Sequence, residues 1–159
     1  MGYHGALSGS VVDLVALNAA LLAARARGER IVLTNGIFDL LHVGHLRYLR
    51  QARQSGDVLV VGVNSDTSVN KPARPLVPDV ERAELVAALD PVDYVVIFNE
   101  LTADQLLRVV RPDVYVKGAD YSEATLPEAA TAREVGASLV FVPLVGGRST
   151  SALIQRCSG

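Results

Sequence analysis

The 159-residue sequence has no tryptophan, three phenylalanines and one cysteine. The lone Cys157 excludes an internal disulfide framework and fits a reducing, cytoplasmic compartment. Followed only by Ser158 and Gly159, it lacks the length of a C-a-a-X prenylation signal. No apolar run approaches the ~20 residues of a membrane span. No basic segment followed by an apolar stretch opens the chain, so no signal peptide is expected. Charge of one sign is also missing. The formal net charge of −2 speaks against nucleic acid or an anionic membrane as partner. Two common phosphate loops are absent as well: there is no G-x-x-x-x-G-K-[ST], and no G-x-G-x-x-G after a strand.

What is present is aliphatic. Half of the residues are apolar, and Ala, Val and Leu dominate, as in an α/β protein whose parallel sheet is covered on both faces. The length suits one domain with a proper core. Residues 1–10, rich in Gly and Ser, read as a mobile leader, and residues 11–159 as the domain. Val11 to Arg27 has the apolar spacing of an amphipathic helix, and Gly28 stops it. Five β-like runs follow, at 31–33, 58–63, 94–98, 114–116 and 139–142. Helical patterns lie near 44–54, 79–89, 102–110, 127–135 and 150–156. The alternation predicts right-handed βαβ units in a single doubly wound, Rossmann-like sheet. Its five parallel strands are expected in the order 3-2-1-4-5, with ligands at their carboxyl ends.

The most informative string is Thr34-Asn35-Gly36-Ile37-Phe38-Asp39-Leu40-Leu41-His42-Val43-Gly44-His45. It runs from a strand into a helix. A glycine turn there presents backbone N–H groups and the positive end of a helix dipole to an anion. Two histidines three apart share a face above that site. As metal ligands they would be two only, with no Cys or carboxylate cluster to complete a site. The string predicts a nucleotide-phosphate grip.

Three further constellations fall near strand ends. Lys71 and Arg74 lie on a Pro-rich loop, 70–78, and Arg82 follows it. This loop leaves the second strand near Asn64 and is expected to be the most mobile internal segment, closing over substrate. In Lys117-Gly118-Ala119-Asp120, the glycine permits close approach, and Asp120 is placed to accept from ribose hydroxyls. Gly146-Gly147-Arg148-Ser149-Thr150-Ser151 precedes the final helix. It reads equally as an N-cap and as a second anion cradle.

These residues carry a resemblance. T-N-G-I-F-D-L-L-H-V-G-H, V-G-V-N-S-D, V-D-Y-V-V-I-F, R-P-D-V-Y-V-K-G-A-D-Y and G-R-S-T-S, in order and in register, resemble the cytidylyltransferase-like nucleotidyltransferases. Thr34-Asn35-Gly36 is most similar to the branch acting on D-glycero-β-D-manno-heptose 1-phosphate. That resemblance implies transfer of AMP from ATP to the sugar phosphate, giving ADP-heptose and pyrophosphate with Mg²⁺. It implies His42 and His45 at the α-phosphate and pyrophosphate, and Lys71 bridging donor and acceptor phosphates. Arg82 would hold the sugar phosphate, with Asp39, Asn64 and Arg74 beside it. Thr34, Asn35, Gly36, Ile37, Phe38, Gly44, Lys117, Gly118 and Asp120 would frame the nucleotide. Arg148, Ser149, Thr150 and Ser151 would hold its outer phosphates. Few protein ligands are expected for Mg²⁺, and a homodimer is the expected assembly. The alternatives are a CTP-dependent transferase acting on glycerol 3-phosphate or another phosphorylated alcohol, and a non-catalytic nucleotide-binding domain.

Overall fold

The computed structural model describes residues 9–144 and 149–158. Six strands, β1 (Ser10–Val11), β2 (Ile31–Gly36), β3 (Val58–Asn64), β4 (Tyr94–Phe98), β5 (Val114–Gly118) and β6 (Ser138–Val142), form one sheet. Among the described residues the α-helices are α1 (Leu14–Ala26), α2 (Val43–Arg53), α3 (Asp79–Ala87), α4 (Asp104–Val110), α5 (Ala129–Glu134) and α6 (Thr150–Cys157). All strand pairs are parallel, in the order β1-β4-β3-β2-β5-β6.

The five expected strands stand in the expected order, and β1 is an addition at the edge. It pairs Ser10 with Tyr94 and Val11 with Val95. Two residues carry no periodicity, which is why the sequence alone does not reveal it. Gly9 admits this strand, because a Cβ there would lie 2.5 Å from the Val92 carbonyl oxygen. The segment read as leader therefore joins the sheet at Ser10. The first helix starts at Leu14 rather than Val11, capped by the Asp13 carboxylate, which accepts from Ala16 N at 2.8 Å.

Strand alternation builds two cores. Ile31, Leu33, Val58, Val60 and Tyr115 face Leu17 and Leu21 of α1, Leu107 of α4 and Ala132 of α5. Val32, Leu59, Val61, Val114 and Val116 face Leu49 and Ala52 of α2 and Ala83 and Val86 of α3. Each fully buried Leu or Val contributes on the order of 1.5–3 kcal/mol. At the amino edge, Asp57, Asp93 and Asp113 each accept a backbone N–H from a neighbouring strand segment, at Arg30, Leu59 and Ile31 respectively. That edge is closed by its own carboxylates, and the carboxyl edge is where the cleft opens.

Candidate active site

β2 runs three residues further than expected, so Thr34, Asn35 and Gly36 belong to the strand rather than to a turn. The chain then reverses through Phe38, which has a left-handed φ of 52°. A bulky residue there is strained, and such strain clusters at functional sites. The Phe38 ring folds back over Gly36, where a Cβ would lie 3.0 Å from it. It also packs on the His45 ring at 5.4 Å between centroids.

The two histidines close the start of α2 reciprocally. His42 is the N-cap, and its Nδ1 accepts from Gly44 N at 3.1 Å, while His45 Nδ1 accepts from His42 N at 3.3 Å. Their rings stack at 4.0 Å. An imidazole nitrogen that accepts is unprotonated, so the neutral tautomer carries its hydrogen on Nε2. The backbone donors foreseen as an anion site at the helix start are thus partly used by the histidines. The rings pass the donor function on to Nε2. Burial, with His42 next to it, pushes the His45 pKa down to about 4, so His45 is a neutral donor at neutral pH. With both Nδ1 lone pairs engaged, the pair is poorly suited to a metal. Among the described residues no group of three His, Cys, Asp or Glu could hold one.

A cleft of about 270 Å³ opens above this turn. On its walls stand Asn35, Gly36, Ile37, Phe38, His42, Gly44 and His45 from the first motif, Lys117, Gly118 and Asp120 from the β5 end, and Ser149 and Thr150 from the start of α6. Three separated stretches of sequence thereby meet at one place. Ser149 caps α6, its Oγ accepting from Ala152 N at 3.1 Å, and the Thr150 hydroxyl donates to Leu40 O at 3.3 Å. The cap reading of Ser149 holds, and the start of α6 faces the cleft. Lys117 Nζ lies 3.3 Å from Asn35 Oδ1 and 5.4 Å from the Tyr121 ring centre. Burial lowers its pKa, against the raising fields of Glu128 and Asp120.

Other expected ligands stand elsewhere. Thr34 is fully buried below the cleft, bonded to Tyr48 Oη at 2.8 Å and donating to Val116 O at 2.9 Å. It braces β2 against β5 and α2 and does not line the cleft. Ser151 is exposed on α6 and does not line the cleft. Arg148 lies outside the described residues.

The sugar-phosphate group is the largest departure. Arg82 is wholly enclosed. Its guanidinium donates to Val77 O at 2.8 Å, Asn64 O at 2.8 Å, Ile37 O and Asp66 Oδ1 at 2.7 Å. Asp39, 3% exposed, accepts from Leu76 N at 2.8 Å and Val77 N at 3.0 Å and faces Arg74 Nη1 at 3.3 Å. Asn64 donates to Ser68 Oγ at 3.2 Å. These four residues hold one another and the β3–α3 connection, and none of them lines the cleft. The 70–78 segment is accordingly tied along its second half, while Lys71 is exposed on its first.

Tyr48, Tyr115, Tyr121 and Leu144 were not anticipated. Tyr48 was legible, lying three residues after His45 on the same helix face. Burial pushes its pKa up to about 12, so it stays a phenol. Tyr121 follows Asp120 directly. Nothing in the sequence sets Tyr115 apart from an ordinary core aromatic.

Comparison with known proteins agrees with this architecture. The cytidylyltransferase-like family profile matches residues 33–155. A protein of Syntrophotalea carbinolica named bifunctional protein HldE is 44% identical over 98% of the chain. A protein of the same name from a Nitratiruptor species is 48% identical over 82% of it. The chain spans about a third of the length of these curated relatives, 33% and 28% respectively. Among solved structures, the lipopolysaccharide core biosynthesis protein from Thermoplasma volcanium superposes with a TM-score of 0.63 at 29% identity, over 74% of this chain and 98% of that one. Pantothenate synthetase from Thermus thermophilus, at 20% identity and a TM-score of 0.61 over 86% of this chain and 62% of its own, shares the fold. Among the described residues no helix is long and apolar enough to cross a membrane.

Proposed function

The chain belongs to the cytidylyltransferase-like family, and from that premise we propose that it transfers AMP from ATP to D-glycero-β-D-manno-heptose 1-phosphate, releasing pyrophosphate. The observation that carries this reading is the single cleft joining the stacked His42–His45 pair, the Lys117–Asp120 strand end and the start of α6. Two helix starts around one cavity suit a ligand with several phosphates.

A phosphate monoester has a second pKa of about 6, so the acceptor arrives largely as a dianion and needs no general base. Its oxygen attacks the α-phosphorus. The bond from that phosphorus to the bridging oxygen breaks, and pyrophosphate leaves with the electron pair. Catalysis then consists of alignment and of donors aimed at developing charge. His42 and His45 donate through Nε2 to the α-phosphate and the leaving pyrophosphate. Ser149, Thr150 and the start of α6, with Arg148, hold the outer phosphates. Gly118 and Asp120 frame the ribose. Lys71, on the exposed half of its loop, bridges the two substrates. Arg82 and Asp39 act by holding that loop and the Ile37 carbonyl in place. Mg²⁺ bound with the nucleotide would supply charge neutralisation at the phosphates, and Asp120, the one carboxylate on the described wall, would help to hold it. A cytoplasmic homodimer completes the proposal.

Pyrophosphate release from ATP and CTP, each against a panel of sugar 1-phosphates and glycerol 3-phosphate, tests it. ATP with the heptose 1-phosphate is the expected productive pair. Release from CTP with glycerol 3-phosphate, and none from ATP with any heptose 1-phosphate, overturns the substrate assignment.

A further inference from the structure

Asn35 lies at the carboxyl end of β2, directly opposite Gly62 on β3. That glycine gives it room, since a Cβ at position 62 would lie 3.2 Å from the Asn35 Cβ and 2.5 Å from Leu106 Cδ2. On its other side stands β5. The buried Tyr115 hydroxyl donates to Asn35 Oδ1 at 2.6 Å, and Lys117 Nζ donates to the same oxygen at 3.3 Å. A lysine ammonium only donates, so the amide atom facing it must be the oxygen. Two donors fill the two lone pairs of that oxygen. The NH₂ end is thereby turned the other way, and among the described residues it has no hydrogen-bond partner. Asn35 lines the cleft, and so does Lys117.

We propose that Asn35 is a donor to substrate, set in one orientation before binding, and that Tyr115 beneath it sets that orientation together with Lys117. With Lys117 it forms a donor-only strip on the sheet face opposite the two histidines. Such a strip selects an oxygen acceptor, either a nucleotide oxygen or an oxygen of the sugar phosphate. It rejects any group that offers only N–H or O–H hydrogens. Tyr115 touches no ligand and acts through Asn35. The assignment rests on the proposed substrates only for the choice of probe.

The test measures nucleotide Kd by calorimetry and acceptor KM by pyrophosphate release, which separates the two sources of the oxygen. ATP and CTP are first compared on the wild-type chain, and the nucleotide that binds is the probe. Failure of the ATP assignment then leaves this experiment intact. Asn35→Asp keeps an acceptor for Tyr115 and Lys117, and Asn35→Ala adds no charge. Both are expected to weaken one of the two constants by roughly tenfold or more. Tyr115→Phe is expected to weaken the same constant by roughly three- to tenfold. In the Asn35→Ala background it should add nothing, because no amide remains to be oriented. Unchanged Kd and KM in Asn35→Ala overturn the proposal. So does a Tyr115→Phe loss of equal size in both backgrounds, which would mark Tyr115 as structural only. If the Asn35 variants do not fold, Tyr115→Phe alone decides: full substrate affinity refutes the proposal.

Discussion

The β2–α2 turn and the β3–α3 connection sit side by side at the carboxyl edge, and both looked like substrate ligands in sequence. They use their polar groups in opposite ways. In the turn, His42 and His45 satisfy the helix start with Nδ1 and carry their ring hydrogen on Nε2. In the connection, Arg82 places its guanidinium on three backbone carbonyls and Asp66, and Asp39 gives its carboxylate to Leu76, Val77 and Arg74. The first region uses the Nδ1 of each ring to close its own helix start. The second commits most of the polar valence of its Asp and buried Arg to the fold. A charged residue near a ligand site is therefore no guide to ligation until its protein partners are counted.

Arg82→Ala should break this contrast most severely. Removing a buried guanidinium strands three carbonyls and Asp66, and a loss of about 3–5 kcal/mol of folding stability is expected. Arg82→Lys should recover only part of it, because an ammonium cannot span the same four acceptors. Urea denaturation measures both. Near-normal stability with selectively weakened sugar-phosphate binding would return Arg82 to the ligands and make the two regions alike.

His45→Ala comes next. In the proposed reaction its donor serves charge that grows in the transition state, so kcat should fall by about 10²–10³ while nucleotide affinity falls less. Steady-state kinetics with parallel nucleotide titration decide it. Lost ATP binding with normal turnover at saturation would contradict the assignment.

Asp39→Ala should cost about 1–3 kcal/mol locally by freeing the Leu76 and Val77 amides. Hydrogen exchange at those two amides should quicken without any ligand present. A residue that merely bound sugar phosphate would leave ligand-free exchange unaltered.

The smallest effect concerns pH. The His45 pKa of about 4 in the folded protein lies below the ordinary value of about 6.5. A depressed histidine contributes stability that is fully present above the unfolded value. It is lost as pH falls toward the folded one, because only the unfolded chain takes up the proton. Comparing wild type with His45→Gln across that window should show a modest decline confined to the wild type, damped by partial exposure of the ring. Parallel curves would mean that His45 titrates normally.

Much of the site was readable because it is local. Residues 34–45 lie within one strand–turn–helix, and their spacing alone set both histidines on one face at the helix start. Lys117, Gly118, Asp120 and Ser149 stand on the cleft wall for the same reason, each in or adjoining an element end. Arg82, Asp39 and Asn64 stand off the cleft wall, which the sequence does not show, because Arg82 and Asp39 are held by distant partners. Arg82 reaches Ile37, 45 residues away, and Asp39 reaches Val77, 38 residues away. Tyr115 was invisible because its only sign is a hydroxyl under Asn35, 80 residues away.

The sequence by itself determined the parallel α/β sheet, the order of its five main strands and the placement of His42 and His45 at the start of α2. Periodicity, glycine placement and capping act over a few residues and are written along the chain. Only the tertiary structure decided which polar groups remain available to a substrate. A hydrogen-bonding valence can be used once, and distant backbone carbonyls and amides compete for it through space. The short β1 edge strand was decided the same way, by the room Gly9 leaves beside the Val92 carbonyl.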